Sequence, residues 1–207
     1  MPTLLYLHGF RSSPQSAKAR ATAQRVQQLN RAREAAGQPL IRWLCPQLPP
    51  SPRQAIDLCL QLLAGERGSS LGLIGSSLGG FYATHLAHTL QARAALLNPA
   101  VDPARDLAAF IGVQTGWHDP ALQFEFTAAH VQELHALEVG NVRSAVPDPQ
   151  HYLVIIAQGD EVLDWREMAA RYRGAQCTVL PGGDHALSDY AQRHLHAVLH
   201  WCLYGAV

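Results

Sequence analysis

The stretch Leu71-Gly72-Leu73-Ile74-Gly75-Ser76-Ser77-Leu78-Gly79 decides the fold of this chain. Its first five residues form a short apolar run, which is typical of a strand buried on both faces of a parallel sheet. Residues 79–90 then have the spacing of a helix, so a sharp strand-to-helix turn is expected between the two. The pattern G-x-S-x-G over 75–79 fits that turn, because its glycines remove side chains that would collide across it.

Ser77 is the central residue of this turn and our candidate nucleophile. The turn is expected to expose its hydroxyl at the carboxyl end of the sheet, beside the N–H of Leu78 and the positive end of the helix, where an oxyanion is stabilised. Ser76 lacks glycines at the matching positions. A phosphate-binding loop would need G-x-x-x-x-G-K-[ST] or G-x-G-x-x-G, and the sequence contains neither. The remaining alternative is a glycine-rich turn that only allows close helix packing.

The rest of the chain alternates short apolar runs with helical patterns, which indicates an α/β fold with a mostly parallel sheet and helices on both faces. Each run is bounded by Gly, Pro or polar residues, and the six predicted strands are Thr3–His8, Leu40–Cys45, Ser70–Gly75, Ala94–Asn98, Tyr152–Ala157 and Cys177–Leu180. The predicted helices are 14–36, opened by Ser13 and Pro14, and then 52–65, 79–90, 165–172 and 188–203. At 207 residues, a single domain over 1–207 is the expected organisation.

The segment 100–150 interrupts this alternation. Asp102-Pro103 is expected to open one helix and 126–137 has the pattern of another, but several glycines and prolines, Pro120 among them, separate the two. A stretch this long between two strands is uncommon as plain loop. We therefore predict an ordered helical lid, whose four aromatic residues line a substrate pocket: Phe110, Trp117, Phe124 and Phe126. The alternative is an insertion whose aromatic residues only cover the edge of the sheet.

An activated serine needs a base, and the base needs a carboxylate that orients it. Each of the last two predicted strands is followed, after one or more glycines, by such a partner: Asp160 after the fifth strand and His185 after the sixth. Because the carboxyl ends of parallel strands meet at one edge of a sheet, both side chains are expected near Ser77. The order Ser, Asp, His along the chain is that of the α/β-hydrolase triad. Asp164 is instead expected to cap the helix that follows it.

A second oxyanion donor is expected at the end of the first strand. Gly9 allows backbone N–H groups to approach a substrate carbonyl there, and we assign the donor to the backbone of Phe10, with Gly9 and Arg11 as alternatives. His8 is expected to brace this loop by hydrogen bonding and to take no part in proton transfer.

Composition excludes several classes of function. Lys and Arg total 16 and Asp and Glu total 16, so no net field attracts a polyanion and we expect no nucleic-acid partner. No apolar run approaches twenty residues and no leader is visible, which predicts no membrane span and a cytoplasmic location. The four cysteines lie far apart and are expected to be buried, reduced thiols. His196 and His200 have no carboxylate or cysteine partner for a metal, so neither a metal nor an organic cofactor is expected.

Several further stretches of the chain match one family. They are Tyr6–Phe10, Ser12–Pro14, Ser16–Ala19, Gly75–Thr84, Leu97–Ala100, Gln158–Asp164 and Gly182–His185. Together they resemble the bacterial YqiA-type esterases over nearly the whole chain. The resemblance implies a compact α/β hydrolase without the first two strands of larger relatives, active on simple acyl esters and acyl thioesters. The chain departs from the family at Gln158, where the family has threonine, and most of all in the lid, which leaves the substrate preference open.

The residues and the resemblance together predict a carboxylic-ester hydrolase that works through an acyl-enzyme on Ser77, with a small acyl ester or thioester as its partner. One alternative is an acyltransferase that passes the acyl group from the same serine to an acceptor other than water. The other is a binding protein that keeps the fold without catalysis, and the complete triad argues against it.

Overall fold

The computed structural model describes residues 1–117, 119 and 121–205. Its strands, in chain order, are β1 (Thr3–Leu7), β2 (Arg42–Leu44), β3 (Leu71–Ser76), β4 (Arg93–Leu97), β5 (Gly112–Thr115), β6 (Gln123–Phe126), β7 (Tyr152–Ala157) and β8 (Gln176–Leu180). Its helices are α1 (Ala17–Ala35), α2 (Pro52–Leu62), α3 (Leu78–Leu90), α4 (Pro103–Leu107), α5 (Ala128–Ala136), α6 (Trp165–Arg171), α7 (Tyr190–Arg193) and α8 (Leu195–Tyr204).

Six of these strands form one parallel sheet in the order β2-β1-β3-β4-β7-β8. Strands β1, β3 and β7 are buried along their whole length, as their continuous apolar runs predict, and β4 is buried except at Arg93. Since every strand has the same direction, all the loops that follow the strands emerge at one edge. The predicted six-stranded α/β sheet is confirmed.

The two faces of the sheet have separate cores. On one face, alternate strand residues such as Leu5 and Leu73 pack with α2, α3 and α6 and with the segment after β4. On the other face, residues such as Leu4 and Ile74 pack with α1, α7 and α8. Helices therefore cover both faces, and α3, which follows Ser77, lies in the first core.

Several helix boundaries differ from the sequence prediction, among them the starts of α1 and of the closing helix. α1 begins at Ala17 with Ser16 as its N-cap, because residues 13–16 close a turn of their own through Ser16 N–H and Ser13 O. The closing helix begins at Tyr190 and divides at His194 into α7 and α8. Its start is delayed because residues 184–189 form a tight turn in which Leu187 has a φ of 48°.

The described residues of the segment 100–150 form helices and strands, so this part of the chain is not purely helical. It contains α4 and α5, as predicted, together with an antiparallel hairpin of β5 and β6 that the sequence analysis did not predict. Phe126 ends β6, and α5 begins two residues later, where Thr127 forms a capping box with His130. Pro120 lies outside the described residues.

No helix in residues 1–117, 119 and 121–205 has the length and apolar character needed to cross a membrane. Cys59 and Cys202 are buried thiols, as predicted, and burial raises the pKa of each to about 12. Cys45 is half-buried and Cys177 is exposed, because Cys177 lies on the edge strand β8, so the expectation of burial is wrong there.

Candidate active site

Ser77 lies at the turn between β3 and α3 in a strained backbone conformation, with φ 56° and ψ −121°. Three backbone hydrogen bonds hold it there. Its N–H donates to Leu97 O at 3.0 Å, and its carbonyl accepts from Gly80 N at 2.8 Å and from Ala100 N at 3.0 Å. The residues at and after the end of β4 therefore fix the turn, and this is how the surrounding fold sustains a conformation that costs a non-glycine residue free energy.

The two glycines of the motif are required by close approach of the backbone. A Cβ at Gly79 would lie 2.0 Å from Leu7 O, and one at Gly75 would lie 2.3 Å from Gly79 O. Both distances are far inside van der Waals contact with backbone atoms, which cannot move aside. Any side chain at either position would push α3 away from the sheet and displace the serine between them.

The structure brings the three predicted triad residues into one chain of hydrogen bonds. Ser77 Oγ lies 3.1 Å from His185 Nε2, and His185 Nδ1 lies 2.8 Å from Asp160 Oδ2. A carboxylate can only accept, so Nδ1 carries the proton and Nε2 is left to accept from the serine hydroxyl. This is the geometry that a base needs to remove the proton of Ser77.

Asp160 is held by hydrogen bonds to both of its carboxylate oxygens. Its side chain is fully buried, and its Oδ1 accepts from the N–H groups of Val162 and Leu163, both at 2.8 Å, which leaves Oδ2 for His185. Asp164 has the other predicted position, as the N-cap of α6, where Oδ1 accepts from Arg166 N at 2.8 Å. The two neighbouring carboxylates therefore have separate partners.

Two residues that the sequence analysis did not single out hold the loop of His185. Asn98 is completely buried; its Nδ2 donates to Asp184 O at 3.0 Å and to His185 O at 3.2 Å, while its Oδ1 accepts from Ala157 N at 2.8 Å. Glu161 Oε2 accepts from His185 N at 3.0 Å. The sequence signals for them were their positions, Asn98 at the end of a strand and Glu161 next to Asp160, and their presence in stretches that match the family.

The loop after β1 lies against the serine. A Cβ at Gly9 would come within 3.2 Å of Ser77 Cβ, so the backbone of this loop approaches the nucleophile closely. Within the part of the chain that the structure describes, we find no acceptor for the N–H groups of Leu78 and Phe10. Both predicted oxyanion donors are therefore available to a ligand.

His8 stabilises the loop after β1 through hydrogen bonds of its ring. Its ring is buried and its Nε2 accepts from Leu48 N at 3.1 Å, so Nδ1 carries the proton and donates to Gly9 O at 3.0 Å. This arrangement connects the loop after β1 to the loop after β2.

Two cavities meet at the loop after β1, and residues 8–10 and Ser12 line both. The larger cavity, about 450 Å³, has mostly apolar walls formed by Leu48, Leu58, Leu78, Tyr82 and Phe124. The smaller cavity, about 270 Å³, contains both reacting side chains together with a tryptophan and a lysine: Ser77, His185, Trp117 and Lys18. The loop after β1 thus borders both cavities, and of the two the smaller one contains Ser77 and His185.

The four lid aromatics do not share one role. Phe124 lines the larger cavity and Trp117 lines the smaller one. Phe126 is buried in the core beneath Phe10, at a ring separation of 5.2 Å, and lines neither cavity. Phe110 is exposed, and its ring meets the edge of the Phe10 ring at 5.9 Å. Contrary to the predicted pocket lining, Phe126 and Phe110 therefore lie outside these two cavities, since one faces the core and the other solvent.

Arg11, in the loop after β1, attaches the β5–β6 hairpin to that loop. Its Nε donates to Thr115 O at 2.6 Å and its guanidinium lies 4.1 Å from the ring centroid of Trp117. The N–H of Trp117 donates back to Arg11 O at 2.7 Å. Arg11 therefore connects the hairpin, and with it Trp117 at the smaller cavity, to the loop after β1.

Comparison with known proteins agrees with this architecture. The family model described as "Uncharacterised protein family (UPF0227)" matches residues 3–202. Among solved structures, Est1E from Butyrivibrio proteoclasticus with ferulic acid bound has a TM-score of 0.69 at 13% identity, covering 98% of this chain and 88% of that one. Mouse alpha/beta hydrolase domain-containing protein 10 has a TM-score of 0.68 at 14% identity, covering 96% and 87%. The fold is that of the α/β hydrolases, and since the family model spans nearly the whole sequence, the chain belongs to UPF0227, the YqiA family.

Proposed function

We propose that this protein is a serine esterase that hydrolyses simple carboxylic esters, and acyl thioesters, through an acyl-enzyme on Ser77. The observation that carries the proposal is the chain of hydrogen bonds from Ser77 Oγ to His185 and on to the buried Asp160 carboxylate. A serine in a strained turn, a base at 3.1 Å and a fixed carboxylate are together what acyl transfer needs.

The proposed reaction has two halves. His185 Nε2 takes the proton of Ser77 as Oγ bonds to the acyl carbon, and the N–H groups of Leu78 and Phe10 hold the resulting oxyanion. His185 then gives that proton to the leaving oxygen or sulfur as its bond to carbon breaks. In the second half water bonds to the acyl carbon and gives a proton to His185, which passes it to Ser77 Oγ as the bond between Oγ and the acyl carbon breaks, and this releases the carboxylic acid and free Ser77. Asp160 holds the imidazolium throughout.

The two cavities suggest where the two parts of the substrate lie. His185 must reach the leaving group to protonate it, and it lines the smaller cavity. The acyl chain is then assigned to the larger cavity, whose walls are mostly apolar and include Leu78, one of the oxyanion donors. A volume of about 450 Å³ suits a small or medium acyl group.

The first test is covalent labelling. A fluorophosphonate probe should modify the wild-type protein on Ser77 and not on Ser76, and the Ser77→Ala variant should neither be labelled nor turn over substrate. A panel of chromogenic esters and thioesters of graded chain length gives the activity. Folded Ser77→Ala protein that keeps its turnover would refute the proposal.

The acyltransferase alternative has the same acyl-enzyme and differs only in the acceptor. Turnover of a chromogenic ester with and without an added alcohol or amine, followed by product analysis, separates the two. Hydrolysis predicts free carboxylic acid as the main product under both conditions, whereas a transferase would give the new ester or amide in excess.

A further inference from the structure

Lys18 is the only lysine in the chain; the other fifteen of the 16 basic residues are arginine. It is the second residue of α1, and its side chain lines the smaller cavity together with Ser77 and His185. The only lysine of the chain therefore lies in the same cavity as Ser77 and His185.

The ammonium group of Lys18 has no anionic partner among the described residues. Its Nζ donates to the carbonyl of Ala186, and no carboxylate of a described residue lies within ion-pair distance. The two nearest acidic groups are committed elsewhere: Asp160 to His185 and two backbone N–H groups, and Asp184 to the N–H and hydroxyl of Ser188. An ammonium has three N–H donors, so the contact to Ala186 leaves two of them for the cavity.

Lys18 is half-buried, and partial loss of solvent without an anionic partner destabilises its charge. This loss lowers the pKa of Lys18 to about 8, although the charges of Asp184 and Asp160 act in the opposite direction. An amine with this pKa is still mostly protonated at neutral pH. Charges that are partly withdrawn from water are favoured by an ionic partner, so a half-buried cation without one in a ligand cavity indicates that the ligand supplies the anion.

We propose that Lys18 binds an anionic group, such as a carboxylate, on the leaving-group portion of the substrate. The enzyme would then be selective for esters whose alcohol or phenol portion carries a negative charge. This inference rests on the proposed esterase function, because the leaving-group side is identified by His185. The anion would lie in the smaller cavity between Lys18 and the scissile bond, with Trp117 beside it.

A purely structural role for Lys18 makes a different prediction. If the lysine served only to hold Ala186, next to His185, its removal would slow every substrate to the same degree. If it binds an anion, its removal would slow charged substrates alone. The readout must therefore be a ratio between two substrates that differ in charge and match in shape.

The matched pair is meta-carboxyphenyl butyrate and meta-carbamoylphenyl butyrate, which share the acyl group and the ring. Wild-type protein should have a kcat/KM at least about tenfold higher for the carboxylate, as expected for a charge-assisted hydrogen bond. Lys18→Gln, which keeps an N–H donor for Ala186 but carries no charge, should bring the ratio close to one, and Lys18→Met should do the same. Arg20→Met removes an exposed cation from the same helix and should leave the ratio unchanged.

A binding measurement separates this inference from the proposed function. In the Ser77→Ala background, meta-hydroxybenzoate should bind at least about tenfold more tightly than meta-hydroxybenzamide, and Lys18→Gln should abolish the difference. Loss of that preference in the double variant supports the anion site even if no ester is turned over, in which case only the esterase proposal fails. Equal binding of the two compounds by Ser77→Ala, or an equal loss of rate on both esters in Lys18→Gln, overturns the role assigned to Lys18.

Discussion

Asp160 and Asp164 are four residues apart and differ completely in what they contact, so they allow a direct test of the acid assignment. Asp160→Asn keeps the shape of the side chain but cannot fix the tautomer of His185, and kcat should fall by orders of magnitude, with ~10⁴ as the reference for such a change. Asp164→Ala removes the N-cap of α6 and should cost about 1 kcal/mol of unfolding free energy with little loss of turnover. Steady-state kinetics and urea unfolding measure both. Activity in Asp160→Asn together with inactivity in Asp164→Asn would show that the acid is misassigned.

Asn98 connects three strand ends with one side chain. Its φ of 42° is a conformation that asparagine tolerates and most residues do not. Asn98→Ala would leave Ala157 N–H without its partner inside the core, at a cost of roughly 1–3 kcal/mol before strain is counted.

We therefore expect Asn98→Ala to lower stability by at least about 2 kcal/mol and also to lower kcat with less effect on KM, because the same side chain holds the loop of His185. Urea unfolding and steady-state kinetics on folded protein test the two effects. A fully stable variant with unchanged kcat would mean that other contacts hold that loop.

At the scale of elements, the β5–β6 hairpin depends on Arg11 for its attachment. A two-stranded hairpin is marginal by itself, and in this one Phe126 is the only buried residue of the two strands. Arg11→Ala should increase hydrogen exchange of the β5 and β6 amides and their cleavage by proteases. Arg53→Ala, an exposed arginine at the start of α2, is the control. Unchanged hydrogen exchange of the hairpin amides would mean that the ring contacts with Phe10 are sufficient to hold the hairpin in place.

Phe124 and Phe126 are two residues apart on β6, and replacing each of them with alanine should have a different effect. Phe124→Ala enlarges the larger cavity, and the preference in kcat/KM should move to longer acyl chains at ~0.8 kcal/mol per additional buried methylene. Phe126→Ala leaves a hole in the core and should instead cost about 3–5 kcal/mol of stability. An ester panel and urea unfolding distinguish the two, and an unaltered chain-length profile in Phe124→Ala would place the acyl chain elsewhere.

At the scale of the whole molecule, the sequence predicted whatever depends on local pattern and chain order. Continuous apolar runs indicated the parallel sheet, and glycines at strand ends indicated the loops of Ser77, Asp160 and His185. The hairpin was missed because Gln123–Phe126 is only four residues long, and its alternation of polar and aromatic residues adjoins a helix pattern. The roles of Asn98 and Glu161 were missed because they depend on contacts with distant parts of the chain, which no local pattern encodes.

Lys18 also affects the stability of the whole protein. Because burial lowers its pKa to about 8, the unfolded chain binds more protons than the folded chain between about pH 8 and 10.5, and wild-type stability should gain across that window as pH rises. Lys18→Met removes the cost of the buried charge and should be more stable than wild type at pH 7 by an amount of the order of 2 kcal/mol. This advantage should shrink toward pH 10.5. Urea unfolding of both proteins at the two ends of the window tests it, and a constant or negative difference would contradict the effect of burial.

The presence of a single lysine has a practical consequence. Protein grown with lysine that is isotope-labelled at Nζ alone would give one side-chain signal in a magnetic resonance spectrum, and the residue that produces it lines the smaller cavity beside Ser77. Occupancy of the site, ionisation of that amine and closure of the hairpin above it could thus be followed one at a time, at a known position, without any foreign tag.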